Sequence, residues 1–548
     1  MESDEIPITR DRYNLNVVAE SFSRALTFIS GLLSTTLLYR SVAGGSWTLD
    51  DYGAFKVLTN VNQLLLPIIL LGLNGATLKI VAEFSSDRKK LGQTIGNSIL
   101  IITIAFFVVA FVSVFFDMGV FLLASKAPTL DVGALRLYWV MVILSLLPTA
   151  YLRIVKTSFS GIQRMKKTLV VDIVYNLFWI LSLLYLFLTS LVNIYNILLL
   201  NIIQIVIGTS MGIGLLIREC RLNDIKISFK PDGEILSKLR LLAAVFFISA
   251  LVTASLNNLT VVWMSLFGTL GDVGLFSIAQ GITVTVRMVI GAPLVVLGPN
   301  LTADYARGKI DEVYRKFREA SHMLVPTYAF AFASIFAFAT PALRVIYGAD
   351  GVAATGYLQL LSFNVIFVVI PGIYTYLYLA ADDAKGLFLS AIIQVVIQNL
   401  WIILLTPIIG INAIAVIWIV YIPFLIAQDY YSKQKHNIGM DGFHVTKSLV
   451  LGFAFAAGMY FFVDFLQYLM KSISLPGILE AAIIALFVVP IWYFYIAVGT
   501  AFKLVNKADL DNMEGLLKII PPVWWVSKPI ILRLKSYAEK SEMVSPIP

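Results

Sequence analysis

Residues 272–317 read DVGLFSIAQGITVTVRMVIGAPLVVLGPNLTADYARGKIDEVYRKF. A glycine turn at 271–274 opens the stretch. An apolar run continues to Pro299 with one interruption, Arg287, and a basic amphipathic segment, 307–318, closes it. About 28 apolar residues exceed the roughly 20 that a helix needs to cross a bilayer. A charge near the middle of such a helix is costly and marks a functional residue by default.

The whole chain has this character. Of its 548 residues, 59% are hydrophobic and 14% charged, against about 25% charged in globular chains. Mean hydropathy is +0.86. A lone cysteine, Cys220, excludes a disulfide framework, and His322, His436 and His444 have no metal-ligand spacing. No metal and no cofactor are expected. The net charge of +8 reflects loop lysines and arginines rather than a nucleic-acid surface. The polar start and the long first apolar run read as a first spanning helix, not a cleaved signal.

Fourteen spans are expected, near 16–39, 54–80, 95–116, 134–156, 169–189, 195–217, 241–266, 273–299, 323–343, 356–380, 386–406, 411–428, 448–468 and 478–501. The runs are near-continuous rather than alternating, which excludes a β-barrel. The fold class is therefore an all-α polytopic membrane protein. Cations crowd alternate loops: Arg88 to Lys90, Arg164 to Lys167, Arg218 to Arg240, Arg307 to Arg318, Lys385, and Lys433 to Lys447. The opposite loops carry only Arg40, Lys126, Arg344 and Lys471. The positive-inside rule assigns the first set, and both termini, to the cytoplasm.

The opening stretch has an earlier copy. Asp51-x-Gly53-x-Phe55 recurs as Asp272-x-Gly274-x-Phe276, and Ala82-Glu83-Phe84 as Ala303-Asp304-Tyr305, both at an offset of 221 residues. An even number of spans separates the copies, so they are parallel repeats related by an axis along the membrane normal. Residues 1–217 form an N-lobe (spans 1–6), 218–240 a cytoplasmic linker and 241–428 a C-lobe (spans 7–12). Spans 13 and 14 (429–501) are additional. The tail, 502–548, is amphipathic, with Trp524 and Trp525 beside basic residues, and suits a membrane interface.

Four places resemble the polysaccharide-flippase (Wzx-type) branch of the multidrug/oligosaccharidyl-lipid/polysaccharide exporter superfamily. Asp51-Tyr52-Gly53 is similar to the family's turn into helix 2, and Gly274-Leu275-Phe276-Ser277-Ile278-Ala279-Gln280 to its start of helix 8. Pro299-Asn300-Leu301-Thr302 with Gly308 resembles the exit from that helix. Pro407-Ile408-Ile409-Gly410-Ile411-Asn412-Ala413 resembles its turn between helices 11 and 12, with Ala413 where the family usually has glycine. The resemblance covers spans 1–12. It implies two six-helix lobes in a V around a central cavity, alternating access, and polyprenol- or dolichol-linked sugars bearing phosphate or pyrophosphate as substrates.

Arg287 is the first candidate for the headgroup phosphate. Its repeat counterpart is Leu66, so the charge is not part of the shared frame, and a guanidinium offers a permanent charge and two parallel donors. Arg24 in span 1 is the second. Glu20, one turn earlier, can neutralise it, while the resemblance to lipid-linked precursor flippases favours a cavity role. Lys79, Arg153 and Lys156 near the cytoplasmic ends of spans 2 and 4 either snorkel to headgroups or form a cationic entrance. Pro67, Pro148, Pro293 and Pro371 lie within spans as kinks or hinges. The polar residues open to a coupling ion are Asn257, Asn258, Gln394, Gln398 and Asn399. No carboxylate lies mid-helix in spans 7 or 11, and Asp172 is assigned to the interface.

The leading expectation is a monomeric plasma-membrane flippase, not an enzyme, that moves a lipid-linked oligosaccharide to the outer leaflet. Its partners are that substrate and membrane lipids, with no nucleic acid. A multidrug or cation antiporter of the same superfamily is the alternative; it would want an acid-lined cavity. A membrane glycosyltransferase or polymerase would want catalytic acids in large extracytoplasmic loops, and the longest such loop, 117–133, holds only Asp117 and Asp131.

Overall fold

The computed structural model describes residues 10–543 apart from 46, 85–86, 118–122, 124–130, 163, 231, 291–300, 303, 306, 473–476, 503, 506, 508–509, 512–513 and 515–520. Lys126, Pro293, Pro299 and Asn300 thus fall outside the described residues. Every regular element among the described residues is a helix, as expected where backbone groups in lipid must bond within their own segment. Among the described residues, ten helices are long and apolar enough to cross a membrane. The four remaining expected spans fall on α1, α10, α15 and α17, defined below.

Two compact units emerge: Met1–Ile278 with Thr406–Ile414, and Ala279–Leu405 with Ala415–Pro548. The linker expected at 218–240 lies inside the first unit. It is also shorter than expected, because helices occupy both of its ends. The Asn223 amide closes one helix against the Glu219 carbonyl, and Asp232 caps the next by accepting from the Glu234 and Ile235 amides.

The first unit contains α1 (Arg10–Ala43), α2 (Leu49–Leu70), α3 (Leu73–Glu83), α4 (Arg88–Phe115), α5 (Val132–Gly161), α6 (Met165–Leu188), α7 (Ile194–Leu222), α8 (Gly233–Ala254) and α9 (Thr260–Phe267), and the start of α10 (Leu270–Ile290). Helix α1 packs on α6, α5 on α7, and α3 on α5 and α8. Expected span 2 is broken in two. Leu71 and Gly72 both take positive φ, and Leu71 N–H bonds the Pro67 carbonyl. Only glycine fits at 72, where an added Cβ would lie 2.2 Å from the Ala243 carbonyl oxygen of α8. A π-helical turn, Ser255–Leu259, interrupts expected span 7. Between α7 and α8 the chain runs along α4, with Ser228 N–H bonded to the Gly92 carbonyl at 3.2 Å. The cation-rich end of this unit is latched by Lys90–Glu234 and Lys238–Glu83, both ammonium groups lying over the Phe84 ring.

The segments expected as glycine turns, 51–53 and 271–274, are helical instead. Thr48 and Asp51 form a reciprocal capping box at the start of α2, with Asp51 Oδ2 accepting from Thr48 N–H at 3.0 Å and Thr48 Oγ1 from Asp51 N–H at 3.1 Å. Thr269 and Asp272 repeat it at the start of α10 with the same two distances. Such a box satisfies amides that the first turn leaves free. Gly53 and Gly274 have no positive φ; they serve close packing. A Cβ on Gly53 would lie 1.9 Å from the Leu270 carbonyl oxygen, and one on Gly274 would lie 2.8 Å from Leu49 Cδ1. Leu49 and Leu270 are themselves repeat equivalents, so the two contacts are reciprocal.

The second unit holds the rest of α10, then α11 (Ile310–Ala337), α12 (Ala339–Tyr347), α13 (Thr355–Ala380), α14 (Ala384–Ile409, as far as Leu405), α15 (Tyr421–His436), α16 (Gly442–Ser472), α17 (Gly477–Ala501) and α18 (Pro521–Met543). Helix α11 packs on α13 and α16. Its core is aromatic, with Phe363 stacked 4.4 Å from Trp418 and Phe332 against Phe363 and Phe453. The tail folds back. Ile531 and Ala538 of α18 join Ile496, Val505 and Leu510, and Lys535 pairs with Asp511 and Glu514.

At the cation-rich end of this unit, Asp383 receives bonds from the Gly386 amide, Tyr431, Lys435 and His436. Burial pushes its carboxyl up, but these donors outweigh burial and hold it at about 2. His322 stacks on His444 with centroids 3.8 Å apart, a contact that no spacing in the sequence announces.

Candidate functional site: cations inside the membrane helices

In the second unit, Arg287 lies in α10, near the end of that helix's described part, and is half-buried. Among the described residues no carboxylate pairs with it. Its electrostatic neighbours are the phenols of Tyr328 from α11 and Tyr421 from α15, and the Tyr328 hydroxyl donates to the Arg287 carbonyl at 3.4 Å. Tyr421 is in turn bonded by Gln394 and approaches Gln398 Oε1 at 3.5 Å. Arg287 and the distant Gln394 and Gln398, one turn apart on α14, therefore meet through one tyrosine. The amides here support a ring beside a guanidinium, whose positive charge repels a bound cation. Asn399 bonds the Val395 carbonyl at 2.7 Å.

In the first unit, Arg153 and Lys156 lie one turn apart on α5 and converge on Tyr175 of α6. Arg153 is its electrostatic neighbour, and the Lys156 ammonium lies 5.7 Å from its ring centroid. Lys156 also pairs with Asp172, which Ser23 of α1 bonds as well. Asp172 is only 4% exposed. Asp172, assigned to the interface from sequence, forms an ion pair buried within the protein, because α1 and α5 close over α6. Asn176, one turn on, reaches Thr27 at 3.5 Å. Helical spacing could have found this cluster: Ser23 and Thr27 face Asp172 and Asn176, both pairs at i, i+4. The pair neutralises Lys156 as an anion contact.

Lys79 on α3 is exposed, without an ion pair among the described residues. The side chains of Arg24, Glu20 and Asn257 lie outside those described. Asn258, in the π-helical turn, donates to the Ala254 carbonyl at 3.0 Å. The described residues hold no group of three or more His, Cys, Asp or Glu able to bind a metal ion.

One intramembrane cation was not singled out from sequence. Lys56 lies in the second turn of α2, half-buried, with its ammonium 5.2 Å from the Tyr52 ring centroid and 5.9 Å from that of Phe55. Among the described residues it has no carboxylate partner. The family model described as "Polysaccharide biosynthesis protein" matches residues 24–303, more than half of the chain, including α2, Arg153, Lys156 and Arg287.

The chain belongs to this polysaccharide biosynthesis family. No curated protein matches it. Among solved structures, this family member is similar to "Lipid II flippase MurJ, inward closed conformation", at 13% identity and TM-score 0.63 over 88% of this chain and 99% of that one. It is similar to an inward-facing multidrug resistance MATE transporter of the MOP superfamily, at 12% identity and TM-score 0.59 over 77% and 98%. A third likeness is to a point mutant of the Vibrio cholerae MATE transporter VcmN, at 16% identity and TM-score 0.57 over 78% and 98%. At these identities the likeness is one of fold: a polytopic helical transporter fold.

Proposed function

We propose that this protein flips a lipid-linked oligosaccharide, carried on a polyprenol or dolichol phosphate or pyrophosphate, from the cytoplasmic to the outer leaflet of the plasma membrane. Arg287 carries the reading. A permanently charged group inside an apolar helix, without an acid partner among the described residues, calls for an anion, and its planar fork matches a phosphate. The headgroup crosses between two lobes by alternating access while the lipid tail stays in the bilayer. Both termini are cytoplasmic, on the cation-rich side. Arg24 and Arg153 contribute to the cationic path, and the protein acts as a monomer without enzymatic activity.

A second observation supports a lipid substrate. The additional helices α16 and α17 line a groove of about 950 Å³, almost wholly apolar, with Val450, Ala454, Phe462, Phe494 and Val498 on its walls and Lys447 toward the cation-rich end. That suits a hydrocarbon tail whose anionic end lies at the cytoplasmic interface.

The test is flipping of a fluorescent polyprenyl-pyrophosphoryl sugar in proteoliposomes. Arg287→Ala should cut it about 10- to 100-fold with insertion unchanged; full transport by that variant overturns the role. The likeness to multidrug transporters supports a second reading, drug or cation antiport. Cation-driven drug efflux from the same vesicles, without lipid flipping, would establish that instead.

A further inference from the structure

The reciprocal contact at the starts of α2 and α10 has a cation attached to it. A Cβ on Gly274 would lie 3.3 Å from Tyr52 Cδ1, and the same Tyr52 ring carries the Lys56 ammonium 5.2 Å from its centroid. Gly274, Tyr52 and Lys56 are thus in series. Tyr52 is itself fixed edge-on by Tyr39 and Trp47. Lys56 follows its capping Asp51 by little more than one turn, whereas Arg287 follows Asp272 by about four.

Three explanations that would make Lys56 inert do not hold. Its ring contacts hold the ammonium but leave its charge uncompensated, since a ring quadrupole is no counter-ion. It does not serve topology, because it sits toward the cation-poor end, where the positive-inside rule disfavours lysine. It is not needed by the repeat frame, because its equivalent is Ser277. That hydroxyl is buried, 6% exposed, and without a hydrogen-bond partner among the described residues. The two equivalent positions, each one turn below a packing glycine, therefore carry an ammonium without an acid partner and a hydroxyl without a hydrogen-bond partner, both among the described residues. Both suit phosphate oxygens.

We propose that Lys56 is a second anion contact for the lipid-linked headgroup, held directly beneath a reciprocal seal made by Gly53 against Leu270 and Gly274 against Leu49. Ser277 supplies a further donor at the equivalent position. This rests on the flippase reading and deepens it. The headgroup phosphate reaches Lys56 on its way out and is released when the two helix starts part. The cation close to the exit keeps the charge compensated until water can take it over.

The experiment uses the full chain with Cys220→Ser as background, since Cys220 is the one native cysteine. Proteoliposomes carry a fluorescent polyprenyl-pyrophosphoryl sugar. Lys56→Gln should slow flipping at least about tenfold, the loss of one charge-assisted contact, with an unchanged melting temperature. Lys56→Arg should restore most of the rate. Joining Leu49→Cys to Leu270→Cys with a short, reducible bis-thiol reagent should stop flipping, and reduction should restore it.

Equal rates for Lys56→Gln and its parent overturn the proposal, as does equal loss in the Gln and Arg variants, which would mark a structural role. Undiminished flipping by the joined protein overturns the seal. Failure of the parent to flip the probe at all would overturn the flippase reading itself, a distinguishable result.

Discussion

The two copies of the repeated unit, 48–66 and 269–287, differ where it matters for chemistry. Their frames coincide: a Thr-x-x-Asp capping box, a glycine packed against the other copy, and a buried phenylalanine, Phe55 or Phe276. Their polar residues do not. Lys56 faces Ser277 in the alignment, and Leu66, 1% exposed, faces half-buried Arg287. Duplication supplied two helix starts that pack on each other reciprocally. Divergence then put one cation near the helix start in the first copy and one deep in the second, neither with an acid partner among the described residues. The frame is thus shared by the two copies, and the charge is not.

The largest effect should come from moving the charge between copies. Arg287→Leu should cut flipping about 10- to 100-fold, the worth of a hydrogen-bonded charge contact. Adding Leu66→Arg should not restore it, because Leu66 is packed and lacks the Tyr328 and Tyr421 surroundings. Recovery by the double variant would show that only the presence of a charge counts, and the comparison would fail.

Next comes the packing of the two glycines. Gly53→Ala forces a methyl group onto a backbone oxygen, and should cost about 1–3 kcal/mol, read as a lower melting temperature in detergent. Gly274→Ala should cost less, since the nearest atom it meets is the end of the Leu49 side chain. Equal losses would mean that the contacts are more alike than their distances.

The capping boxes should be interchangeable. Thr48→Ala and Thr269→Ala should each cost about 1 kcal/mol, and a clear difference in melting temperature would break the symmetry of the frame. Smallest of all, Lys79→Ala should change stability by less than about 0.5 kcal/mol and leave flipping unaltered. A marked loss of flipping would return this exposed lysine to the cationic path.

The membrane class, the spans and the repeat were legible in the chain. The polar site was legible only in part. Arg287 stands out in any reading, as a lone charge in an apolar run. Lys56 was hidden because it follows Asp50 and Asp51 so closely that it reads as the edge of a span. Lys156 looked like a free cation because Asp172, its partner, belongs to the next helix. The glycines at 53 and 274 looked like turn formers because glycine's two uses, positive φ and close approach, leave the same letter in a sequence.

What the sequence determined by itself was everything carried by local rules. Apolar runs of sufficient length become helices in lipid because their backbone groups must bond within the segment, and Thr-x-x-Asp caps them with partners three residues away. Tertiary structure alone decided which charges are neutralised. An ion pair forms only within a few ångströms, and which helices cross at that distance is settled by packing far along the chain. So Lys156 meets an acid, Lys56 meets a ring that rests on Gly274, and Arg287 meets phenols.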